Sequence, residues 1–355
     1  MIDARLIDRL DLDRRPTGEE ISRTTAFEAA IAARLEARHA VAVGSPTVAF
    51  LLAYHAAEQG AGATLVASSL ADPTVVRAAV ASGYRLRFVD VDERGHLSPE
   101  ALADHVATHG APALIVPSHH CGYVCDTAAL AAVVPDACVV EDATDALGAR
   151  AADGRAIGSP AHAAMTIVGI QPVRSSAPAQ GAVVLTNDDA LAGRLHRLRD
   201  ERAEHRLSEL HAALALIQLG RLDGLVDLRA RIAARYDEAL AAWPLASGVT
   251  PAADTRSAWW SYLVRVPAWM RAEMGDELRS LGIGGRRIAM LLHRHPYFRR
   301  CADALPAELP ATERFAAETL VLPTSPELGD ERVLRVIDTL GAIVTIDSAD
   351  ATVAG

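Results

Sequence analysis

Short apolar runs and helix-period segments take turns along the first two-thirds of the chain. Strand-like runs fall at Val41–Val43, Thr64–Ser68, Leu86–Val91, Ala113–Pro117 and Cys138–Glu141. Between them lie segments with apolar residues at helical spacing, Val48–Gln59, Asp72–Ser82, Pro99–Thr108 and Asp126–Val133, after a first such stretch at Ala26–Arg38. Strands separated by helices cannot close as hairpins. They pair through crossovers, which gives an α/β fold with a mainly parallel sheet covered on both faces. Ala163–Ile170 and Ala182–Thr186 extend that sheet as a hairpin-like pair. From Ser208 to Trp243 apolar residues recur every three or four positions, the pattern of a long amphipathic helix with weak points at Gly220 and Gly224. After Pro244 the pattern restarts with a strand at Trp259–Val266 and helices at Met270–Leu281, Ala311–Thr319 and Asp330–Leu340. The expected organisation is a large domain over residues 1–245, including the linking helix, and a smaller C-terminal α/β domain over 246–355, with a frayed tail from Asp347.

Several function classes are excluded at this level. No apolar run reaches the length of a membrane span. Met1 to Arg15 alternates Asp and Arg with isolated Leu and Ile, which is not a signal peptide. The four cysteines, Cys121, Cys125, Cys138 and Cys301, then read as reduced thiols of a cytoplasmic protein. A net charge of −10, spread along the chain, argues against nucleic acid or an anionic membrane as partner.

One compositional fact bears on chemistry: the 35 basic side chains are all arginine, and the 355-residue sequence contains no lysine. It therefore offers no side-chain amine for covalent capture of an aldehyde.

Segments spread from Phe27 to Leu340 share an order with a known family. Phe27-Glu28 opens the set. Val41-Ala-Val-Gly-Ser-Pro-Thr47 resembles a "VAVSSGT" phosphate loop, and Phe88-Val-Asp-Val-Asp92 matches "FVDVD". Pro117-Ser-His-His-Cys-Gly122 resembles "PVHLYG", and Glu141-Asp-Ala-Thr-Asp-Ala-Leu-Gly-Ala149 resembles "EDAAQAHGA". Gly181-Ala-Val-Val-Leu-Thr-Asn-Asp188 is similar to "GGAVVTND", and Glu209 to Leu240 is similar to the linking helix. Together these resemble the DegT/DnrJ/EryC1/StrS sugar aminotransferases, which use pyridoxal phosphate (PLP) on the fold-type-I scaffold. The resemblance implies that fold, a dimer with clefts built between protomers, and a small sugar-like or natural-product biosynthetic substrate.

The positions that would hold the cofactor depart from the family. Met165-Thr-Ile-Val-Gly-Ile-Gln-Pro-Val-Arg-Ser175 aligns with "MTVFSFHPVKS", which puts Arg174 where the Schiff-base lysine stands. A guanidinium stays protonated and does not condense with an aldehyde. Pro46 replaces the glycine of the phosphate turn and removes an amide donor. Gly169 replaces a serine, and Ala71 the aromatic that stacks on the ring. Two positions match. Asp142 aligns with the partner of the pyridine nitrogen, although with the other contacts altered it reads first as a strand-end carboxylate capping a nearby loop. His119 aligns with the "VH" histidine.

The expected cofactor is none, with PLP held only non-covalently if at all. The expected catalytic residues are His119, Asp142 and Arg174. Ser45, Thr47, Asp145, Gln171 and His293 are expected to bind substrate. His119-His-Cys-Gly-Tyr-Val-Cys125 with His162 lacks the spacing of a standard zinc site, and no metal is expected. Cys121 or Cys125 reads as a small buried thiol before it reads as a nucleophile. Arg286-Arg287 and Arg299-Arg300 could grip a diphosphate or carboxylate, or be solvated surface. Three functions fit: PLP-independent chemistry in the former cofactor cleft, a non-catalytic subunit completing a lysine-bearing partner's site, or a non-covalent ligand-binding protein. The partner is then a small-molecule substrate and a second chain, the same or a related one.

Overall fold

The computed structural model describes residues 22–170, 181–280, 282, 286–287, 290–301 and 308–353. Gln171 and Arg174 lie outside them. In chain order the elements are α1 (Arg23–Arg34), β1 (His39–Val43), α2 (Pro46–Ala56), β2 (Thr64–Ser68), α3 (Pro73–Ala81), β3 (Arg85–Val89), α4 (Pro99–His109), β4 (Leu114–Val116), α5 (Thr127–Val133), β5 (Cys138–Ala143), β6 (Met165–Ile170), β7 (Gly181–Thr186), α6 (Asp189–Asp200), α7 (Glu209–Leu219) and α8 (Leu222–Leu240). There follow β8 (Ser247–Gly248), β9 (Ser261–Arg265), α9 (Ala268–Ser280), β10 (Arg286–Arg287), α10 (Pro296–Cys301), α11 (Pro310–Glu318), β11 (Thr319–Pro323) and α12 (Gly329–Val353).

Three helices start with the same local device. Ser45, Asp72 and Ser98 each accept a hydrogen bond from an amide of the first turn, and each is followed by proline at the first helical position. The cap satisfies one orphan amide, and proline sacrifices none that the helix needs. α2 thus begins at Pro46, two residues before the apolar periodicity. The expected long helix from Ser208 divides into α7 and α8 at Gly220–Arg221, whereas Gly224 sits inside α8 without breaking it. α12 continues to Val353, past Asp347, where fraying was expected. After Gly341 the sequence supplies neither glycine nor proline to stop it until Gly355.

The first sheet runs β1-β7-β6-β5-β4-β2-β3. Four neighbouring pairs are parallel, and β7 is antiparallel to both β6 and β1. It is a mixed, mostly parallel sheet with β6 and β7 as the hairpin-like pair. The central strands β5, β6 and β7 are buried almost throughout, as strands covered on both faces must be. One apolar layer, with Phe50, Tyr54, Val76 and Leu195, packs against one face, and a second, with Phe27, Ile31, Ala212 and Ala215, packs against the other. The second sheet, β10-β11-β9-β8, is antiparallel and begins at Ser247.

The two sheets meet at a left-handed turn. Cys121 and Gly122 have φ of 57° and 85°. The Gly122 carbonyl accepts from the Ala258 amide at 2.9 Å and from Ser257 Oγ at 2.8 Å. Arg150 and Arg256 exchange two backbone hydrogen bonds beside it. A Cβ on Gly122 would lie 2.8 Å from the Trp260 amide nitrogen, so glycine is required there both by φ and by space.

Candidate functional site

β1, β2, β4, β5 and β6 all end on one edge of the first sheet. That edge gathers residues 44–47, 69–72, 118–119, 142–145 and 169–170, the usual place for a ligand in an open α/β sheet. The chain leaves this edge at Ile170 and returns at Gly181, which is paired with it.

Asp142 sits near the end of β5 and is 6% exposed. Its Oδ1 accepts from the Thr144 amide at 3.1 Å and from Thr144 Oγ1 at 2.7 Å, and its Oδ2 accepts from Ser118 Oγ at 3.1 Å. This is the loop-capping arrangement. Burial raises its pKa, and the hydrogen bonds only partly offset that.

His119 is buried with both ring nitrogens facing inward. Nδ1 accepts from the Cys125 amide at 2.9 Å, which assigns the ring proton to Nε2, and Nε2 lies 3.0 Å from Glu141 Oε1. Thr127 and Thr166 donate to the two oxygens of Glu141 at 2.6 and 3.0 Å. Burial by itself would raise the Glu141 pKa. The adjacent His119 ring and hydrogen bonds from His119, Thr127 and Thr166 outweigh it and hold the carboxyl below its ordinary value. The ring expected to move protons in the cleft is thus engaged behind it, on a carboxylate that sequence reasoning had not singled out. The signal was present: Glu141 follows a run of apolar residues in β5, and a buried charge needs partners.

Ser45 caps α2 by accepting from the Val48 amide at 3.2 Å. Pro46 has no amide hydrogen, so Thr47, which is exposed, offers the open amide of that first turn. Asp145 is half-buried beside Arg229, on which its charge acts. His293 is not exposed to the cleft as a free side chain. It is 3% exposed, with Nδ1 at 2.6 Å from Ser69 Oγ and Nε2 at 3.0 Å from Glu313 Oε1. The Ser69 hydroxyl is itself sealed, so this hydroxyl–imidazole–carboxylate chain fastens the loop after β2 to α11. Asp90, directly after β3, ties α11 a second time by accepting from the amides of Ala311 and Thr312 at 3.0 and 2.6 Å.

Among the described residues, no group of three or more His, Cys, Asp or Glu side chains could hold a metal ion. Burial raises the Cys125 thiol well above its ordinary pKa, which disfavours the nucleophilic thiolate. Arg299 and Arg300 are exposed.

The residues present do not fit PLP. The α2 N-terminus lacks one phosphate donor and has another capped. A Cβ on Gly169 would stand 2.7 Å from the Thr144 carbonyl oxygen, so no serine can sit there without moving the backbone. Oδ1 of Asp142 is fully used by Thr144, and burial works against the anion that a pyridinium requires. Ala71 is buried and supplies no ring to stack.

Comparison with known proteins agrees with the fold. The model described as "DegT/DnrJ/EryC1/StrS aminotransferase family" matches residues 14–341. The structure of DesV from S. venezuelae, in complex with a ketimine intermediate, is similar over 96% of this chain and 94% of that one, with 29% identity and a TM-score of 0.83. The sugar aminotransferase CalS13 from Micromonospora echinospora covers 96% of both chains at 25% identity and a TM-score of 0.81. DesI, solved in the presence of its TDP-sugar product, covers 100% of this chain and 94% of its own at 26% identity and a TM-score of 0.84. Among the described residues no helix is long and apolar enough to cross a membrane.

Proposed function

Since the chain belongs to the DegT/DnrJ/EryC1/StrS aminotransferase family, we propose that it is a member that has left lysine-bound PLP behind and uses the former cofactor cleft for PLP-independent chemistry on a small sugar-like or natural-product biosynthetic substrate. The observation that carries this is the absence of lysine from the sequence. The internal aldimine needs a neutral amine, and Arg174, at the aligned position, cannot supply one. The capping of Asp142 and the closed space at Gly169 support the same reading. In this proposal Arg174 holds an anionic group of the substrate, Asp142 acts as a buried acid, and Ser45, Thr47, Asp145 and Gln171 line the cleft. His119 acts through Glu141 as a positioning residue, and His293 through Ser69. The sugar-like class is supported by the TDP-sugar product named for DesI and the description of CalS13 as a sugar aminotransferase.

The test is to mix the protein with PLP, treat with borohydride and measure intact mass. No adduct is expected. A stable adduct at one residue, or a visible absorption band that survives dialysis, would overturn the proposal.

A second reading is favoured by one observation: His119 and Asp142 both have their polar atoms engaged within the fold. In that reading the chain is a non-catalytic subunit paired with a lysine-bearing relative. Sedimentation at micromolar concentration separates a homodimer from a chain that dimerises only when the relative is added, and transamination that appears only in the mixture would favour this second reading.

A further inference from the structure

A small pocket opens between α1, the turn after β5, the end of β6 and the joint of α7 with α8. Its lining is largely apolar, with Phe27, Ile31, Leu219 and Leu225 among the contributors, and among the described residues its charged side chains are Asp145 and Arg229. Arg229 projects from α8, and its Cζ lies 4.6 Å from the centroid of the Trp260 ring. Among the described residues Arg229 donates no hydrogen bond and closes no ion pair; the nearby charge that acts on it is Asp145.

A guanidinium held over an indole by a cation–π contact keeps N–H donors that can pair with a carboxylate. Burial lowers the Arg229 pKa, and the nearby Asp145 charge offsets that only in part. The apolar lining offers little to a heavily hydroxylated ligand and much to a hydrocarbon or ring.

We propose that this pocket binds an organic monocarboxylate with an apolar body, its carboxylate on Arg229 and its body against Phe27, Ile31 and Leu225. The pocket shares Asp145 and the end of β6 with the cleft of the reading above and rests on that reading only for its place, because its occupancy can be measured whether or not the chain forms a covalent adduct with PLP.

The experiment is calorimetric titration of the full chain with 3-phenylpropanoate and, separately, with the neutral 3-phenylpropanamide. Saturable binding of the acid at one site per chain is expected, with the amide at least about tenfold weaker, the loss of one charge-assisted pair. Arg229→Gln should bring the acid down to the level of the amide, and Leu225→Trp, which fills the space, should weaken both. Circular dichroism establishes that each variant is folded. No saturable binding of the acid, equal binding of acid and amide, or a folded Arg229→Gln protein that keeps the affinity of the parent for the acid would each overturn the proposal. Should Arg229→Gln not fold, the acid–amide comparison on the parent chain and the Leu225→Trp variant decide it.

Discussion

Nε2 of His119 lies 3.0 Å from Oε1 of Glu141, and the tautomer of that imidazole is set from its other side by the amide of Cys125. Glu141 therefore collects two hydrogen bonds, from Thr127 and Thr166, and an ion-pair contact from His119, in a site closed to water. Removing the carboxylate strands all three. Glu141→Ala should cost about 3 kcal/mol or more, because buried donors without acceptors bear their full desolvation penalty. Urea unfolding measures it. A loss below about 1 kcal/mol would show that the cluster holds less of the fold than its geometry suggests.

His96 gives a pH dependence with a definite sign. It is buried, and burial, aided by the nearby His119, His120 and Arg94, lowers its pKa to about 3. Below pH 6.5 the unfolded chain binds a proton that the native state refuses until about pH 3. Stability from this group is thus complete above 6.5 and falls as pH drops toward 3. At pH 5 the loss is about 2 kcal/mol. His96→Leu should flatten the unfolding free energy between pH 7 and 5. That window lies above the range where Glu141, with its lowered pKa, loses its contribution on protonation.

Gly169→Ser restores a family side chain to a space that does not admit it. The new Cβ would meet the Thr144 carbonyl at 2.7 Å, a backbone atom that cannot swing away. The expected cost is about 1–3 kcal/mol, the usual range for overpacking a rigid site. Thermal unfolding reports it, and an unchanged midpoint would mean that β6 and the 144 turn separate easily.

The ties onto α11 should loosen that helix specifically. His293→Ala leaves Ser69 and Glu313 without their shared ring, and Asp90→Ala uncaps two amides. Each should cost about 1–2 kcal/mol. Hydrogen exchange should rise at residues 310–318 in both variants while β5 and β6 keep their protection.

The alternation of strand and helix was legible because each strand is a short apolar run bounded by polar punctuation, and β2, β4, β5, β6 and β7 stand where the runs do. β10 and β8 were not legible. Arg286-Arg287 and Ser247-Gly248 carry no strand pattern and pair only because β11 and β9 present an edge. Asp142 was read in two ways, and the neighbours that place it in a cap, Ser118 and Thr144, are ordinary residues whose hydroxyl directions no sequence spells out. His119 was found by its motif. Its engagement with Glu141 depends on the parallel pairing of β4 with β5, a contact between positions distant in the chain. Arg229 and Trp260 passed unnoticed as a pair for the same reason, thirty-one positions apart with nothing periodic between them.

The turn at Cys121–Gly122 has a consequence for recombination. The seam there is written largely in main-chain atoms: the Gly122 carbonyl receives the Ala258 amide, and Arg150 and Arg256 exchange backbone bonds. Chimeras that cross over near Pro244 keep this main-chain seam when the recipient keeps Gly122 and the donor supplies a residue with a free amide at position 258, and they must also match the side-chain ties of His293 to Ser69 and of Asp90 to Thr312.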